Sequence, residues 1–586
     1  MKRYFPRALD CRHGLGGSAW GVWAGFIVIG LTVIAPAAVS GRALGYGENT
    51  AMHVWLMMWQ YHAISHGSNP FITNVATYPT NTNLLWNNAD FLWALIARPI
   101  WAILGGVSTV DILYGLLLAG AGAVTTLQLR RHVKHASSAW LGGVFVMSAP
   151  WMQSELVAGH VAEIGIVIAP IGWWVFTGMW RSIQVKAGIW RWVLAVAAWL
   201  VFGYWVNKEF LATAVLVGVV ILAWRWLRDR RADWSVLRLW LAPLLGAGMI
   251  AGVLLIIPLA LQFGGHVALG KGTSTPASLY VIDLLAYVVP GYGQLLAIPG
   301  LQSLTLHFTG NALETNGYLG LPLLIVLGVI ALKLRRHAMV AFGVTLIVIG
   351  AVFAAGPWLH IDGAPVGIPM PGLLLTHLPI YAKVVPSRMM MYVLFGVACV
   401  LTAGWDVAME RLRPVALATL IVVIGVTLAP SAGILAGIGG FVVPAMPAVL
   451  AAHPIRMLPA GSLVLVLPIP TRENHGAGMI WQAEDGFRYS QSFGYLLRPS
   501  AYGYTVALPG SPLEALAVSL SSGGRMGAPL ITKGALRQQL RTLRLAAIID
   551  TPGAREAVDE VILRGYFGRP RLIDGAYVWL QPRVIG

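Results

Sequence analysis

The chain is written in apolar blocks. Stretches of 16 to 22 mostly hydrophobic residues fall near 19–40, 108–129, 138–155, 162–180, 188–206, 209–227, 239–260, 317–332, 338–355, 387–406 and 414–430, with short polar turns between them. A helix rises about 1.5 Å per residue, so about 20 apolar residues cross a hydrocarbon core of about 30 Å. Each block predicts a membrane-spanning helix. The first follows a basic start (Lys2, Arg3, Arg7, Arg12) and ends on Ala37-Ala38-Val39-Ser40, which outlines a secretory signal. Its apolar part exceeds the roughly 7–15 residues of a cleaved signal core, so a retained first span is expected.

Lys and Arg set the expected orientation. Six clusters punctuate the blocks: Lys2/Arg3/Arg7/Arg12, Arg130/Arg131/Lys134, Arg181/Lys186/Arg191, Arg225/Arg228/Arg230/Arg231/Arg238, Lys333/Arg335/Arg336 and Arg411/Arg413. A further apolar segment, 88–106, would invert every later loop if it crossed. Read as a second interfacial or re-entrant helix, it leaves all six clusters on the cytoplasmic side, as the positive-inside rule asks. Asp90 and Arg98 within it also suit a surface-lying helix. The prediction is a polytopic α-helical membrane protein of about 11 transmembrane helices, N-terminus cytoplasmic. The stretch 431–452 is Gly/Ala-rich and apolar; its Gly and Pro punctuation favours an outer loop over a twelfth span.

The pattern changes at about residue 455. Ser462 to Pro468 and Leu545 to Asp550 read as buried strands, Ala554 to Leu563 has helical spacing, and Tyr577 to Leu580 closes as a strand. The expected organisation is a transmembrane domain over 1–454 and an extracytoplasmic α/β domain over 455–586.

Composition agrees with the blocks. Hydrophobic residues make up 57% of the chain and charged ones 11%, with mean hydropathy +0.72. A soluble surface needs about a quarter of residues charged. The net charge of +17 then reads as an orientation signal, and no nucleic-acid partner is expected. Cys11 and Cys399 lie in a tail and in an apolar block, so neither a disulfide framework nor a zinc site is indicated.

Polar residues gather in the outer segments. Gly45 to Trp59 follows the first span directly and carries Glu48 just past the membrane surface, where a carboxylate is easily solvated. His53, Trp55, Met57, Met58, Trp59 and His62 then recur at roughly helical spacing, predicting a short amphipathic helix lying on the membrane. Trp55, Trp59, Trp86 and Trp93 are expected as interface anchors. Further along stand Glu155, His160 and Glu163 at the junction of two spans, Glu314 and Asn316 before a span, and Lys383 and Arg388 where a late span begins. His160 and Glu163 can share a helix face. Lys208 and Glu209 are adjacent and can pair with each other.

This arrangement resembles the GT-C superfamily of integral membrane glycosyltransferases. The resemblance covers the whole chain in architecture. At motif level it rests on Gly47-Glu48 with the helix after it, Tyr78-Pro79 before the second interfacial helix, and Pro386-Ser387-Arg388 at the start of a late span. It is nearest to bacterial members that take sugar from a polyprenyl-phosphate carrier, many of which have Asp where this chain has Glu48. The resemblance implies a lipid-linked sugar donor, a cell-envelope acceptor (glycan, lipid or protein) and a plasma (inner) membrane location.

Transfer from a lipid phosphate needs a base for the acceptor hydroxyl and stabilisation of an anionic leaving group. Glu48 is the candidate base; the same position also suits a carboxylate held by the helix dipole. Arg388 is the candidate for the donor phosphate, with Lys383 and Lys208 as weaker ones, and snorkelling is the alternative for Arg388. His53 is either a steering group or simply the polar face of its helix. Glu155, His160 and Glu163 are candidates for orienting the acceptor or for holding a divalent cation, Mg or Mn, with Glu48. No cofactor is otherwise indicated. Glu314 and Asn316 are candidates for the acceptor groove. A lipid-linked glycan ligase or polymerase would share most of this architecture. A transporter or flippase predicts mid-span charges, which are few here, and a non-catalytic assembly protein predicts that Glu48 is dispensable.

Overall fold

The computed structural model describes residues 19–585 apart from 46, 88–89, 161–165, 229–233, 265–275, 292–293, 295–298, 379, 412–413, 430–440, 444, 452–454, 471–475, 501–502, 506–510, 523–530 and 552–555. The chain forms two compact units. The first comprises Met1–Val39, Ile112–Ile256 and Thr275–Gly439; the second comprises Ser40–Asp111, Ile257–Ser274 and Gly440–Gly586.

The helices run in chain order as α1 (Ala19–Val39), α2 (Gly47–Ser65), α3 (Phe91–Leu104), α4 (Gly106–Leu129), α5 (Ala136–Ser148), α6 (Pro150–Ala158), α7 (Ile168–Val185) and α8 (Ile189–Val206). There follow α9 (Lys208–Arg228), α10 (Trp234–Leu254), α11 (Ile256–Phe263), α12 (Leu321–Lys333), α13 (Ala338–Ala354), α14 (Met390–Arg411) and α15 (Pro414–Leu428). A helix overlaps each of the apolar blocks. Four stretches of described residues are long and apolar enough to cross a membrane: Ala19–Val39, Gly106–His132, Ile189–Val206 and Pro386–Arg411. Leu239–Leu254 and Ile256–Phe263, bent by 74° at their junction, make a fifth if taken as one span. The others are shorter or more polar. Pro150 starts a new helix after α5 has run only 13 residues, and α12 is also 13 residues long. α3 has 14 residues, about 21 Å of rise, which does not cross the core.

In the first unit α14 is the central helix. Every residue from Met390 to Trp405 is buried, because this stretch is apolar on all sides. The crossing window that contains it is 83% buried, against 28% for α1. The outer helices instead expose large apolar side chains such as Val28, Trp190, Leu194, Met249 and Val253, a surface that lipid covers. α13 packs along α14 at closest approach through Gly343 and Gly396. A Cβ on either glycine would lie within 2.6 Å of the other's carbonyl oxygen. α1 meets α4 in the same way through Gly30 and Gly115.

The second unit contains a five-stranded mixed sheet built from β1 (Ser462–Leu467), β2 (Tyr489–Ser490), β3 (Leu545–Asp550), β4 (Arg571–Ile573) and β5 (Ala576–Leu580), in the order β4-β5-β3-β1-β2. β1 runs parallel to β3, with Leu463 opposite Leu545 and Leu467 opposite Asp550, and β5 closes antiparallel on β3. Alternation sends Leu463, Leu465, Leu467 and Ile548 into one core and Val464, Val466, Ala547, Ile549 and Val578 into another. Helix α16 (Ala477–Glu484) packs on the second core through Trp481; α17 (Pro512–Ser522), α18 (Lys533–Thr542) and α19 (Glu556–Phe567) carry residues of the first. The expected strands near 462, 545 and 577 are present, and α19 covers most of the expected 554–563 helix. Most of 431–452 lies outside the described residues.

α2 departs from its expected character. It does not present one apolar face and one solvated face: 12 of its 19 residues are buried. α3 packs against it, and so does α16. Trp55 donates from Nε1 to Gln482 Oε1 at 2.7 Å and stacks on Trp59. Trp86 donates to the Gln262 carbonyl, and Trp93 is buried. The four tryptophans expected as interface anchors are core residues or have protein partners; for Trp55 the partner lies more than 400 residues away in sequence.

Candidate functional site

The first unit gathers polar side chains that the sequence places in four separate stretches. Glu155 lies in α6 and is fully buried. The helix ends at Gly159, whose φ of +79° turns the chain back on itself. The next residue, His160, therefore sets Nδ1 2.5 Å from Glu155 Oε2. The other ring nitrogen faces Glu314, with Nε2 3.9 Å from Oε1. Glu314 is 8% exposed. Its backbone is fixed by Asn311, whose side-chain oxygen accepts from Leu313 N and Glu314 N. Beyond Glu314 stands Arg388, with Nη2 4.0 Å from Glu314 Oε2.

Arg388 belongs to the 3-10 turn Pro386–Met389 that leads into α14. Its Nη1 donates to Glu209 Oε2. Glu209 Oε1 accepts from Val385 N at 2.6 Å, so one carboxylate holds both the guanidinium and the chain entering the turn. Glu209 lies in the first turn of α9, where Asn207 Oδ1 accepts from Phe210 N and a carboxylate suits the positive helix end. The result is a chain of alternating groups, Glu155, His160, Glu314, Arg388 and Glu209. Glu314 is its loosest member: it lies beyond hydrogen-bond distance of both cationic neighbours, and its Oε2 has no hydrogen-bond partner among the described residues.

Asn316, a candidate for the acceptor groove, is buried among hydrogen-bond partners. It is 4% exposed, donates to Ser154 Oγ at 2.8 Å and accepts from Gln294 Nε2 and Tyr318 N. Through Ser154 it fastens the Glu314 turn to α6. Glu209, expected to pair with Lys208, clamps Arg388, and Lys208 Nζ sits 5.1 Å from the Tyr204 ring centre. Lys383 ends a 3-10 turn, and partial burial holds its ammonium below the usual lysine range. Glu163 lies outside the described residues; His160, expected to share a face with it, is bonded to Glu155.

The second unit holds the other candidates. Glu48 stands in the first turn of α2, where the helix dipole favours a carboxylate. It is not solvated as expected, being 7% exposed. Gly476, at φ +64°, comes so close that a Cβ there would sit 3.1 Å from Glu48 Cα and 2.8 Å from Ala51 Cβ. His53 is not the polar face of a surface helix. Its Nδ1 lies 2.5 Å from Asp90 Oδ2, and both residues are 2% exposed. Nearby, Asp111 Oδ1 accepts from Leu44 N at 2.9 Å and pins the chain just before α2. Among the described residues no three His, Cys, Asp or Glu side chains are arranged to hold a metal ion.

Two residues that the sequence offers without a role in the site prove to hold its members. Asp90 carried a signal as a lone acid opening an apolar helix. Glu209 carried one as an acid in the first turn of a helix whose neighbour in sequence points elsewhere.

No protein-family model and no curated protein matches the chain. Among solved structures, the arabinofuranosyltransferase AftD from Mycobacteria superposes with a TM-score of 0.55 at 14% identity, covering 99% of this chain and 40% of that one. A mutant form of AftD gives 0.51 at 14% identity, covering 98% and 42%. ArnT from Cupriavidus metallidurans bound to undecaprenyl phosphate gives 0.46 at 12% identity, covering 96% and 98%. The chain thus spans about 40% of the length of AftD. It has the fold seen in the arabinofuranosyltransferase AftD.

Proposed function

We propose that this chain is a membrane glycosyltransferase that moves a sugar from a polyprenyl-phosphate donor to a hydroxyl group of a cell-envelope acceptor, on the extracytoplasmic side of the inner membrane. The observation that carries the reading is the part-buried guanidinium of Arg388, held by Glu209 at the mouth of the central helix in a chain with the AftD fold. A guanidinium engages a phosphate through two parallel hydrogen bonds and stabilises the charge that grows on it as the sugar departs. Lys383 and Lys208 are the supporting cations.

Glu48 is the proposed base. Its carboxylate takes the acceptor O–H proton, the acceptor oxygen forms a bond to the anomeric carbon, and the bond from that carbon to the phosphate oxygen breaks. The leaving group is the polyprenyl phosphate, so no general acid is required. A single displacement inverts the anomeric centre. Residues 455–586 are the proposed acceptor-binding region.

The test is sugar transfer in membranes from a panel of radiolabelled polyprenyl-phosphate sugars, with an arabinofuranosyl donor first because AftD is an arabinofuranosyltransferase. Wild type is compared with Glu48→Gln at equal expression. Product with wild type and at least a hundredfold less with Glu48→Gln is expected, since a positioned base contributes about 10²–10⁴-fold. Equal product from both removes Glu48 from the base role. No transfer from any donor by wild type overturns the reading.

A further inference from the structure

Glu314 sits between two cationic partners and is bonded to neither. Its distances to His160 Nε2 and Arg388 Nη2 are 3.9 and 4.0 Å, almost equal. A buried carboxylate oxygen without a hydrogen bond is a costly arrangement. A shift of about 1 Å toward either neighbour would make a charge-assisted hydrogen bond of ordinary length. The two ends of the chain are firm by comparison: Glu155 holds His160 at 2.5 Å, and Glu209 holds Arg388 on the opposite side of the guanidinium. The surrounding structure thus fixes both partners and leaves the central carboxylate a choice.

From this geometry, and resting on the reading that Arg388 receives the donor phosphate, we propose that Glu314 is an exchangeable counter-ion that competes with the phosphate for Arg388 and is parked on His160 while the phosphate is bound. An incoming lipid phosphate, a diester in the sugar donor and a monoester in the spent carrier, takes the Nη2 side of Arg388. Glu314 moves to His160, which donates from Nε2 while Glu155 accepts from Nδ1, so the imidazolium is held between two carboxylates. No covalent bond changes. The only transfer is of a proton to His160 from solvent, which balances the charge brought by the phosphate. The single charge of the carboxylate is matched against the single charge of the donor diester, so Glu314 occupies Arg388 when no phosphate is bound and yields to it when one is.

The test measures binding of farnesyl phosphate, with farnesol as the uncharged control, to the full chain in nanodiscs. Glu314→Gln removes the competing charge and keeps the shape. It is expected to bind farnesyl phosphate about tenfold more tightly, equivalent to about 1.4 kcal/mol, and to leave farnesol binding unchanged. His160→Gln removes the parking place, so Glu314 stays on Arg388 and binding weakens several-fold. In the double variant the His160 change has no further effect, a non-additivity expected only if the two residues act on each other. Thermal unfolding of each variant checks that it is folded. Equal or weaker phosphate binding by folded Glu314→Gln, with Arg388→Gln weakened, overturns the counter-ion exchange and leaves the phosphate role of Arg388 standing. Unchanged binding by Arg388→Gln overturns that role and the exchange with it.

Discussion

The entry of α14 ties packing to the proposed phosphate site, and Gly396→Ala tests the link. A Cβ on Gly396 would lie 2.5 Å from the Gly343 carbonyl oxygen, 2.9 Å from Ile347 Cγ1 and 3.0 Å from Ile347 N. Two of these atoms are helix backbone and cannot rotate away. Non-bonded contacts become favourable at about 3.5 Å, so α13 and α14 must part by roughly 1 Å. Overpacking of this kind costs about 1–3 kcal/mol, and the gain in helix propensity on replacing Gly by Ala returns at most about 1 kcal/mol. Arg388 lies eight residues before Gly396, about 12 Å along the axis, so the shift is carried to the guanidinium. A misplacement of about 1 Å costs on the order of 100-fold in rate when a charged group must meet a reacting centre. Gly396→Ala is therefore expected to lower the unfolding midpoint and reduce sugar transfer by about 10- to 100-fold. The control is Gly425→Ala in α15, where a Cβ would meet nothing within 4 Å. Unfolding curves in one detergent and transfer rates at fixed donor make the comparison. If Gly396→Ala matches Gly425→Ala in both, the close approach is not a constraint and the coupling to Arg388 is refuted.

Three further outcomes follow from other contacts. Arg498 and Glu514 form a buried two-bond ion pair at 2.6 and 2.9 Å, so Glu514→Ala strands a buried guanidinium at a cost of about 3–5 kcal/mol; limited proteolysis should cut the C-terminal region faster, whereas the Arg498→Met/Glu514→Met pair should largely restore resistance. Asp90→Ala leaves buried His53 without its partner and should cost about 1–3 kcal/mol in unfolding free energy, with Asp90→Asn milder because its amide oxygen can still accept. Burial depresses the Lys383 ammonium, so its contribution to stability is present above the ordinary lysine value and is lost as pH falls through the lowered one. Lys383→Met should flatten the rise of the unfolding midpoint over that alkaline window, and a parallel curve would show that the ammonium is not desolvated.

Hydropathy makes the helices legible because lipid accepts long apolar segments and few others, which is why blocks such as 19–40 and 387–406 coincide closely with α1 and α14. It does not say which helix lies at the centre. Lipid and protein interior look alike to an apolar side chain, so α1 and α14 read the same although one is largely exposed and the other buried. The usable signal was the row of small residues. Gly343 and Gly350 on one helix and Gly396 on the other mark close backbone approach, which lipid-facing helices do not need. The length of blocks 138–155 and 317–332 overstated their helices because proline and loop residues were counted with them: Pro150 divides the first, and the second begins four residues before α12. α2 was misread for another reason. Its mixed polar and aromatic pattern fits a membrane surface, and it equally fits a helix enclosed by α3 on one side and the distant α16 on the other. No local pattern distinguishes those two surroundings.

The polar cluster was easier to find than to assemble. Charges are rare in a chain like this, so Glu155, His160, Glu314 and Arg388 stood out at helix ends, yet they were assigned to three separate roles because spacing in sequence carries no information about which loops meet. Glu209 shows where local reasoning could have gone further. Residues adjacent on a helix point about 100° apart, so Lys208 and Glu209 at the start of α9 do not face each other. An acid in that position has two sources of stabilisation, the helix end and a cation from elsewhere. The helix end favours a carboxylate in the first turn by about 0.3–1 kcal/mol, while a part-buried carboxylate asks for a charge partner as well. A cation at the end of another helix can supply it, and Lys383 and Arg388 stand at such a place. Arg388 is the partner found: its Nη1 meets Glu209 and its Nη2 faces Glu314.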